Sequence, residues 1–364
     1  VRLLACAVAV ACLLPAQAQE RSAAASPERL VLLREAEAAL ASGRTIAAIG
    51  ALDRAALMLH TGDTEMGLVR AWLQLGDYRR ALAFAAHTAG AHRDTPAAAA
   101  LYVWLLAAGG QTAFAQRVLE ETRQRLPDDV LLRELATRLR TPPAAAFVAP
   151  PALMADDQPS PAASANVVAS GVLLDEHRAV VPLSAIRDVS SLWVRNGLGR
   201  TAAARVERRV EAHGVAVLGL AAPLDDPRLQ LAPRDPFAGS PGFVVAYAPS
   251  ADSAPAWPWL YQGFFGAPHR QTLGIDVPAH TNGAPVLDAA GRWAGMVVEG
   301  RWVAGSLLRE LVQGDPTADA SRIAPDEAYE RALRIAVQVV GGTEPRHHPA
   351  EGDRHGTRMP RRRE

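Results

Sequence analysis

The stretch His280-Thr281-Asn282-Gly283-Ala284-Pro285-Val286-Leu287-Asp288-Ala289-Ala290-Gly291-Arg292-Trp293-Ala294-Gly295-Met296-Val297 alternates turn chemistry with short apolar runs. Asn-Gly and Ala-Ala-Gly are turn signals, and the runs at Pro285 to Leu287 and Trp293 to Val298 are short enough to be strands. Upstream the pattern recurs at Val167 to Leu174, Ala179 to Val181, Ser191 to Val194, Ala202 to Val206, Val215 to Leu220, Phe243 to Ala248 and Trp259 to Phe265. Short strands recurring over about 130 residues predict an all-β sandwich or barrel.

Further out the pattern changes. Residues 27–140 are rich in alanine and leucine, with few β-branched residues. The fragments Ala41-Ser42-Gly43-Arg44-Thr45, Gln74-Leu75-Gly76-Asp77-Tyr78 and Ala107-Ala108-Gly109-Gly110-Gln111 each close one apolar helix and open another. Taking Gly43, Gly76 and Gly109 as the turn residues gives two equal intervals of 33 (76 − 43 and 109 − 76), with Ala48, Ala81 and Phe114 five residues beyond each. Glycine leaves a helix in the left-handed conformation without a Cβ penalty. A last helix over 128–139 would cap the stack. Between the halves, Pro142, Pro143, Pro150, Pro151, Pro159 and Pro161 mark a semi-rigid linker.

The helical period and the segment Ala71-Trp72-Leu73-Gln74-Leu75-Gly76-Asp77-Tyr78-Arg79-Arg80-Ala81-Leu82 resemble the tetratricopeptide repeat. Such repeats either capture a partner or pack on the second domain, and both readings stand at this point. In the β-rich half, Ser170-Gly171-Val172-Leu173-Leu174-Asp175, Ala179-Val180-Val181-Pro182-Leu183-Ser184-Ala185-Ile186, Gly214-Val215-Ala216-Val217-Leu218, Pro241-Gly242-Phe243-Val244-Val245 and the opening stretch follow one another in a particular order. That order resembles the trypsin-like serine peptidases of the HtrA/Deg type from Val167 to Glu299. The resemblance implies two six-stranded β-barrels with a cleft between them. The fold class expected is therefore an α + β multidomain chain, a helical repeat stack followed by an all-β double barrel.

In that family a histidine, an aspartate and a serine act together: serine attacks, histidine takes its proton and aspartate holds the histidine. The resemblance places Ser184 where the histidine would be, Gly214 where the aspartate would be and Asn282 where the serine would be. His280 stands where a glycine amide would help build the oxyanion hole. Loss of serine or histidine alone costs on the order of 10⁶ in rate in a related triad. The expectation is thus a protein that is not an enzyme, an adaptor holding a protein or peptide. An active endopeptidase with a non-standard site and a structural subunit of an envelope complex are the alternatives.

Residues 1–18 read as a secretory signal: Arg2, the apolar run Leu3 to Leu14, and the small-x-small site Ala16-Gln17-Ala18. The run is too short to span a bilayer. Both cysteines, Cys6 and Cys12, lie inside it, so cleavage after Ala18 leaves a chain without disulfides, expected in the periplasm or secreted. The 38 basic residues, all arginine, balance 38 acidic ones. No basic excess points to nucleic acid. No zinc, EF-hand or phosphate-loop spacing appears, so neither cofactor nor metal is expected. Trp257, Trp259, Tyr261, Phe264 and Phe265 cluster as core residues, with an exposed subset available to an apolar peptide.

Ala324 to Leu333 reads as an amphipathic helix leading into the strand Ile335-Ala336-Val337-Gln338-Val339-Val340. This strand is expected to join the first barrel. His347, His348, His355 and Arg361 to Arg363 sit in a polar tail. The division is then signal 1–18, repeats 27–140, linker 141–165, trypsin-like domain 166–313, helix and strand 322–342, and tail 343–364.

Overall fold

The computed structural model describes residues 26–139, 150–154, 159–162, 164–248, 254–267, 272–278, 281–312, 316 and 321–342. The expected signal segment, the tail, most of the linker and His280 lie outside the described residues.

Three helical hairpins and a further helix form the N-terminal part: α1 (Pro27–Ala41) with α2 (Thr45–Met58), α3 (Gly62–Leu75) with α4 (Tyr78–Ala91), α5 (Pro96–Ala108) with α6 (Thr112–Arg125), then α7 (Val130–Arg138). Pro27 and Pro96 open their helices, where a missing amide costs nothing. Each hairpin turns the same way. The amides of Gly43, Gly76 and Gly110 bond carbonyls three residues back, and those of Arg44, Asp77 and Gln111 bond carbonyls five residues back. This is the helix-ending pattern that needs a left-handed residue, and the three glycines have φ of 71°, 82° and 82°.

The third turn corrects the expected register. Gly109 keeps φ −78°, and the left-handed position belongs to Gly110. Gly43 to Gly76 is 33 residues and Gly76 to Gly110 is 34. The small residue five places on is accordingly Ala115, which is buried like Ala48 and Ala81, whereas Phe114 is exposed. With the register set this way, the three hairpins share one packing scheme: a glycine turn followed by an alanine against which the next helix closes.

The β-rich part begins inside the expected linker. Leu153–Met154 (β1) runs parallel to β5 (Arg200–Val210), so this piece of the proline-rich stretch is bound to the sheet. With β2 (Asn166–Asp175), β3 (Arg178–Pro182), β4 (Ser191–Asn196), β6 (Val215–Leu220) and β12 (Ala336–Gly342) it makes a seven-stranded sheet ordered β1-β5-β4-β12-β2-β3-β6. Pairing of β5 with β6 closes the ring, leaving β1 outside it. The C-terminal strand therefore lies in the first barrel, as its sequence suggests, antiparallel to both β2 and β4. Without it those two strands would have no partner on their facing edges. Arg195 on β4 ties it in: its guanidinium donates to Gln338 of β12 at 2.9 Å and to Thr201 of β5 at 2.9 Å. Burial pushes this guanidinium down to about 10.

The second sheet shows no closed barrel among the described residues. It holds β7 (Pro241–Ala246), β8 (Trp259–Phe264), β9 (Pro285–Asp288), β10 (Trp293–Val298) and β11 (Arg301–Ala304) in the order β11-β10-β9-β7-β8. Among the described residues its two edge strands do not pair, so it stays an open five-stranded sheet.

Helix α8 (Pro325–Ile335) joins the parts. Its buried face carries Ala328, Tyr329, Ala332 and Leu333. The Tyr329 ring meets Tyr78 edge-on at 4.6 Å, and its hydroxyl donates to the Pro258 carbonyl at 2.6 Å. Arg334 donates to the Leu75 carbonyl, and Arg79 pairs with Glu330. The glycine turns of the stack thus face the β part. At Gly110 the approach is closest: a Cβ there would lie 2.5 Å from Leu260 Cδ2 on β8, while Gln262 donates to the Gly110 carbonyl.

Candidate functional site

The residues singled out by sequence come from separate elements. Ser184 lies in the single 3-10 turn (Leu183–Ile186) that follows β3. Gly214 ends the turn before β6, with φ 65°, a conformation its lack of a side chain permits. Its carbonyl accepts from the Leu183 amide at 2.8 Å, which puts it beside the Ser184 turn. Asn282 lies in the turn before β9, followed by Gly283 at φ 88°. Its amide nitrogen reaches Ser184 Oγ at 3.5 Å, a long contact. Its side-chain oxygen accepts from the Glu299 amide at 2.9 Å.

These three half-buried residues therefore converge where the first barrel meets the second sheet. Ser170 of β2 stitches the two together. Its amide donates to the Asn282 carbonyl at 2.9 Å, and its hydroxyl accepts from the Tyr247 amide at 2.8 Å. Gly283 permits the close approach, because a Cβ there would fall 1.8 Å from the Ser170 carbonyl oxygen. Since Ser170 also faces Gln338 of β12, the C-terminal strand runs directly behind this junction. The side chains offered are one hydroxyl and one carboxamide. Both exchange hydrogen bonds with a peptide backbone, and neither carries a proton at neutral pH as imidazole does.

The aromatic cluster is used differently from expectation. Trp257 and Trp259 are buried: Trp257 lies 6.3 Å from Trp104 of α5, and Trp259 sits in a core shared with α5, α6 and α7. Phe265 packs on Trp302. Trp257 and Trp259 hold the helical stack and the second sheet together, and Phe264 alone of the five is strongly exposed.

A group of side chains that could hold a metal ion lies away from the junction, at residues that no sequence motif singled out. Among the described residues, His60, Glu65 and His92 bring one ligand atom each to within 4.8 Å of one another. No sequence motif marked them, because the loop before α3 and the end of α4 meet only in the folded stack.

No family model matches the chain, and no curated protein does. Solved structures similar to part of it include two protease domains. The MamO protease domain from Magnetospirillum magneticum (apo form) aligns at 14% identity and TM-score 0.32, over 42% of this chain and 96% of that one. A serine endoprotease from Yersinia pestis aligns at 17% identity and TM-score 0.33, over 41% of this chain and 61% of that one. The chain thus spans less than two thirds of the endoprotease structure. Likeness this distant does not identify a site or an activity. The expectation that the chain is not an enzyme does not stand: neither the site nor these matches show inactivity.

Proposed function

We propose that the chain is an exported serine-protease homologue that binds a protein or peptide, with tetratricopeptide-like hairpins and a trypsin-like β part as its two working surfaces. One observation carries the reading. The stack docks on the β part by its glycine turns, and this leaves open a groove of about 520 Å³ over α5, between α4 and α6. Its walls are small (Ala86, Ala89, Gly90, Ala99), with Tyr102 as an aromatic contact and charges such as Arg93 beside them. Small walls let a backbone approach closely, and a tyrosine supplies large contact area at low entropic cost. The junction of Ser184, Gly214 and Asn282 is the second surface, with its hydroxyl and carboxamide donors.

The test is affinity capture from envelope extract with three proteins: the parent, Gly90→Arg in the groove and Asn282→Arg in the junction. A partner recovered by the parent and by Asn282→Arg but lost with Gly90→Arg supports the groove. Recovery that neither substitution alters refutes both surfaces. Hydrolysis of labelled casein is followed in the same preparations, with Ser184→Ala added. Activity abolished by Ser184→Ala would make the chain a peptidase and replace the adaptor reading.

A further inference from the structure

Glu65, in the first turn of α3, is 2% exposed, yet neither of its carboxylate oxygens accepts a hydrogen bond in the structure. Taking an ionised carboxylate out of water costs several kcal/mol unless something compensates it. What surrounds it is imidazole. His60 Nε2 lies 2.6 Å from Oε1, His92 Nε2 lies 3.4 Å from Oε2, and His87 Nε2 lies 3.6 Å from Oε1. The His92 nitrogen is itself buried without a hydrogen-bond partner. A carboxylate and ring nitrogens so close, with no hydrogen bond to either carboxylate oxygen, are arranged as ligands rather than as a hydrogen-bonded network.

We propose that His60, Glu65 and His92 bind a divalent zinc ion, with the exposed His87 turning in as fourth ligand. The donor set is right: nitrogen and carboxylate ligands suit zinc, and four protein ligands make a closed structural site. The spacing is also right. Two ligand atoms each about 2.1 Å from a tetrahedral zinc stand roughly 3.4 Å apart, which matches the 3.4 Å between Glu65 Oε2 and His92 Nε2. His60 closes the set by swinging outward less than an ångström, which its largely exposed side chain is free to do.

The surroundings position these ligands. Arg29, nearly fully buried, donates to Thr61 Oγ1, Asp63 Oδ1 and Thr64 Oγ1 at 2.5, 2.6 and 2.9 Å, so it fixes the segment between His60 and Glu65. Gly62 leaves room for the His92 ring, which a Cβ there would meet at 3.4 Å. His87 stacks on Phe84, whose ring stands edge-on to Trp72. His60 precedes α3 and His92 follows α4, so the metal would clasp both ends of the second hairpin, remote in sequence from the glycine turn that docks on the β part. The role assigned is structural, a clamp on the hairpin whose groove lies beside α4.

The full-length protein, freed of metal with a chelator and dialysed, is titrated with zinc by calorimetry. Cobalt replaces zinc in a parallel titration, since tetrahedral cobalt absorbs strongly in the visible. Because His347, His348 and His355 offer a competing site, both titrations are repeated on a variant with these three changed to alanine. The expected result is one equivalent bound in both proteins, an intense tetrahedral cobalt spectrum, and affinity reduced at least tenfold by Glu65→Gln or by His60→Gln. Glu65→Gln is isosteric and removes an unpartnered charge, so its metal-free melting temperature stays level or rises while the zinc-induced rise disappears. His60→Gln changes an exposed side chain and keeps the test valid if a buried substitution unfolds the stack. Loss of binding in the tail variant, or affinity unchanged by Glu65→Gln and His60→Gln, overturns the site.

Discussion

Truncating Val339 to alanine tests the placement of the C-terminal strand most directly. Val339 is fully buried in β12, paired with Ala169 of β2 on one side and Val194 of β4 on the other. Its side chain shares a core with Leu173, Val181, Leu218 and Val337, drawn from three further positions around the ring and from β12 itself. Removing two methyl groups forfeits roughly 1.6 kcal/mol of transfer free energy, at about 0.8 kcal/mol for each carbon. The residual cavity adds about 1 kcal/mol, since a closed ring of strands collapses poorly around a void. The expected cost is thus about 2–3 kcal/mol, a drop in melting temperature of roughly 5–10 °C for a cooperative unit of this size. Scanning calorimetry on the full chain reads it. Ile46→Ala, on a side chain that is 72% exposed, serves as the control and shifts stability by less than about 0.5 kcal/mol. If Val339→Ala moves the melting temperature no more than Ile46→Ala, β12 does not complete the barrel and the closure argued above is wrong.

Burial holds the phenols of Tyr78, Tyr247 and Tyr329 far above the ordinary tyrosine value of 10.0, and that of Tyr261 at about 12. The folded state keeps these protons longer than the unfolded one, so their contribution is fully present below about pH 10 and is lost as pH rises beyond it. Ultraviolet titration should show tyrosinate from the three buried rings appearing only together with loss of the folded circular dichroism signal; ionisation that precedes unfolding would contradict their burial. Gly110→Ala places a Cβ against Leu260 at a left-handed backbone position and should cost about 2 kcal/mol or more, with faster proteolysis between stack and β part. Gly90→Ala, in an open helical position, should be neutral or stabilise by up to about 1 kcal/mol; equal effects in a urea series would remove the argument from close packing.

Much of the architecture was legible in local pattern. Alternation and turn chemistry marked nine of the twelve strands, β1 and β11 being too short to show a pattern, and the glycine interval marked the hairpins. Pro325, the acidic first turn and the apolar run after it announced α8 and β12. Local pattern reaches that far because a helix or strand must bury one face, and the period of its apolar residues records which. It also placed Ser184, Gly214 and Asn282 in strand-end turns, which the structure brings together.

What the residues alone left undecided depends on contacts between distant segments. Gly109 and Gly110 are adjacent and chemically identical, and in the fold the first packs against Tyr78 while the second takes the left-handed turn against Leu260. Among the described residues the two edge strands of the second sheet do not pair, which strand count does not encode. Which of the five clustered aromatics are core was open in the sequence, and the stack decides it by covering Trp257 and Trp259. His60, Glu65 and His92 spread over 33 positions with no motif, and become a ligand set only when two ends of one hairpin meet. Sequence alone established the elements and their order, because each is a local solution to burying apolar surface. The register of the third turn, the covered aromatics and the histidine–carboxylate cluster were decided by tertiary structure, because each depends on surfaces that meet only after the elements have packed.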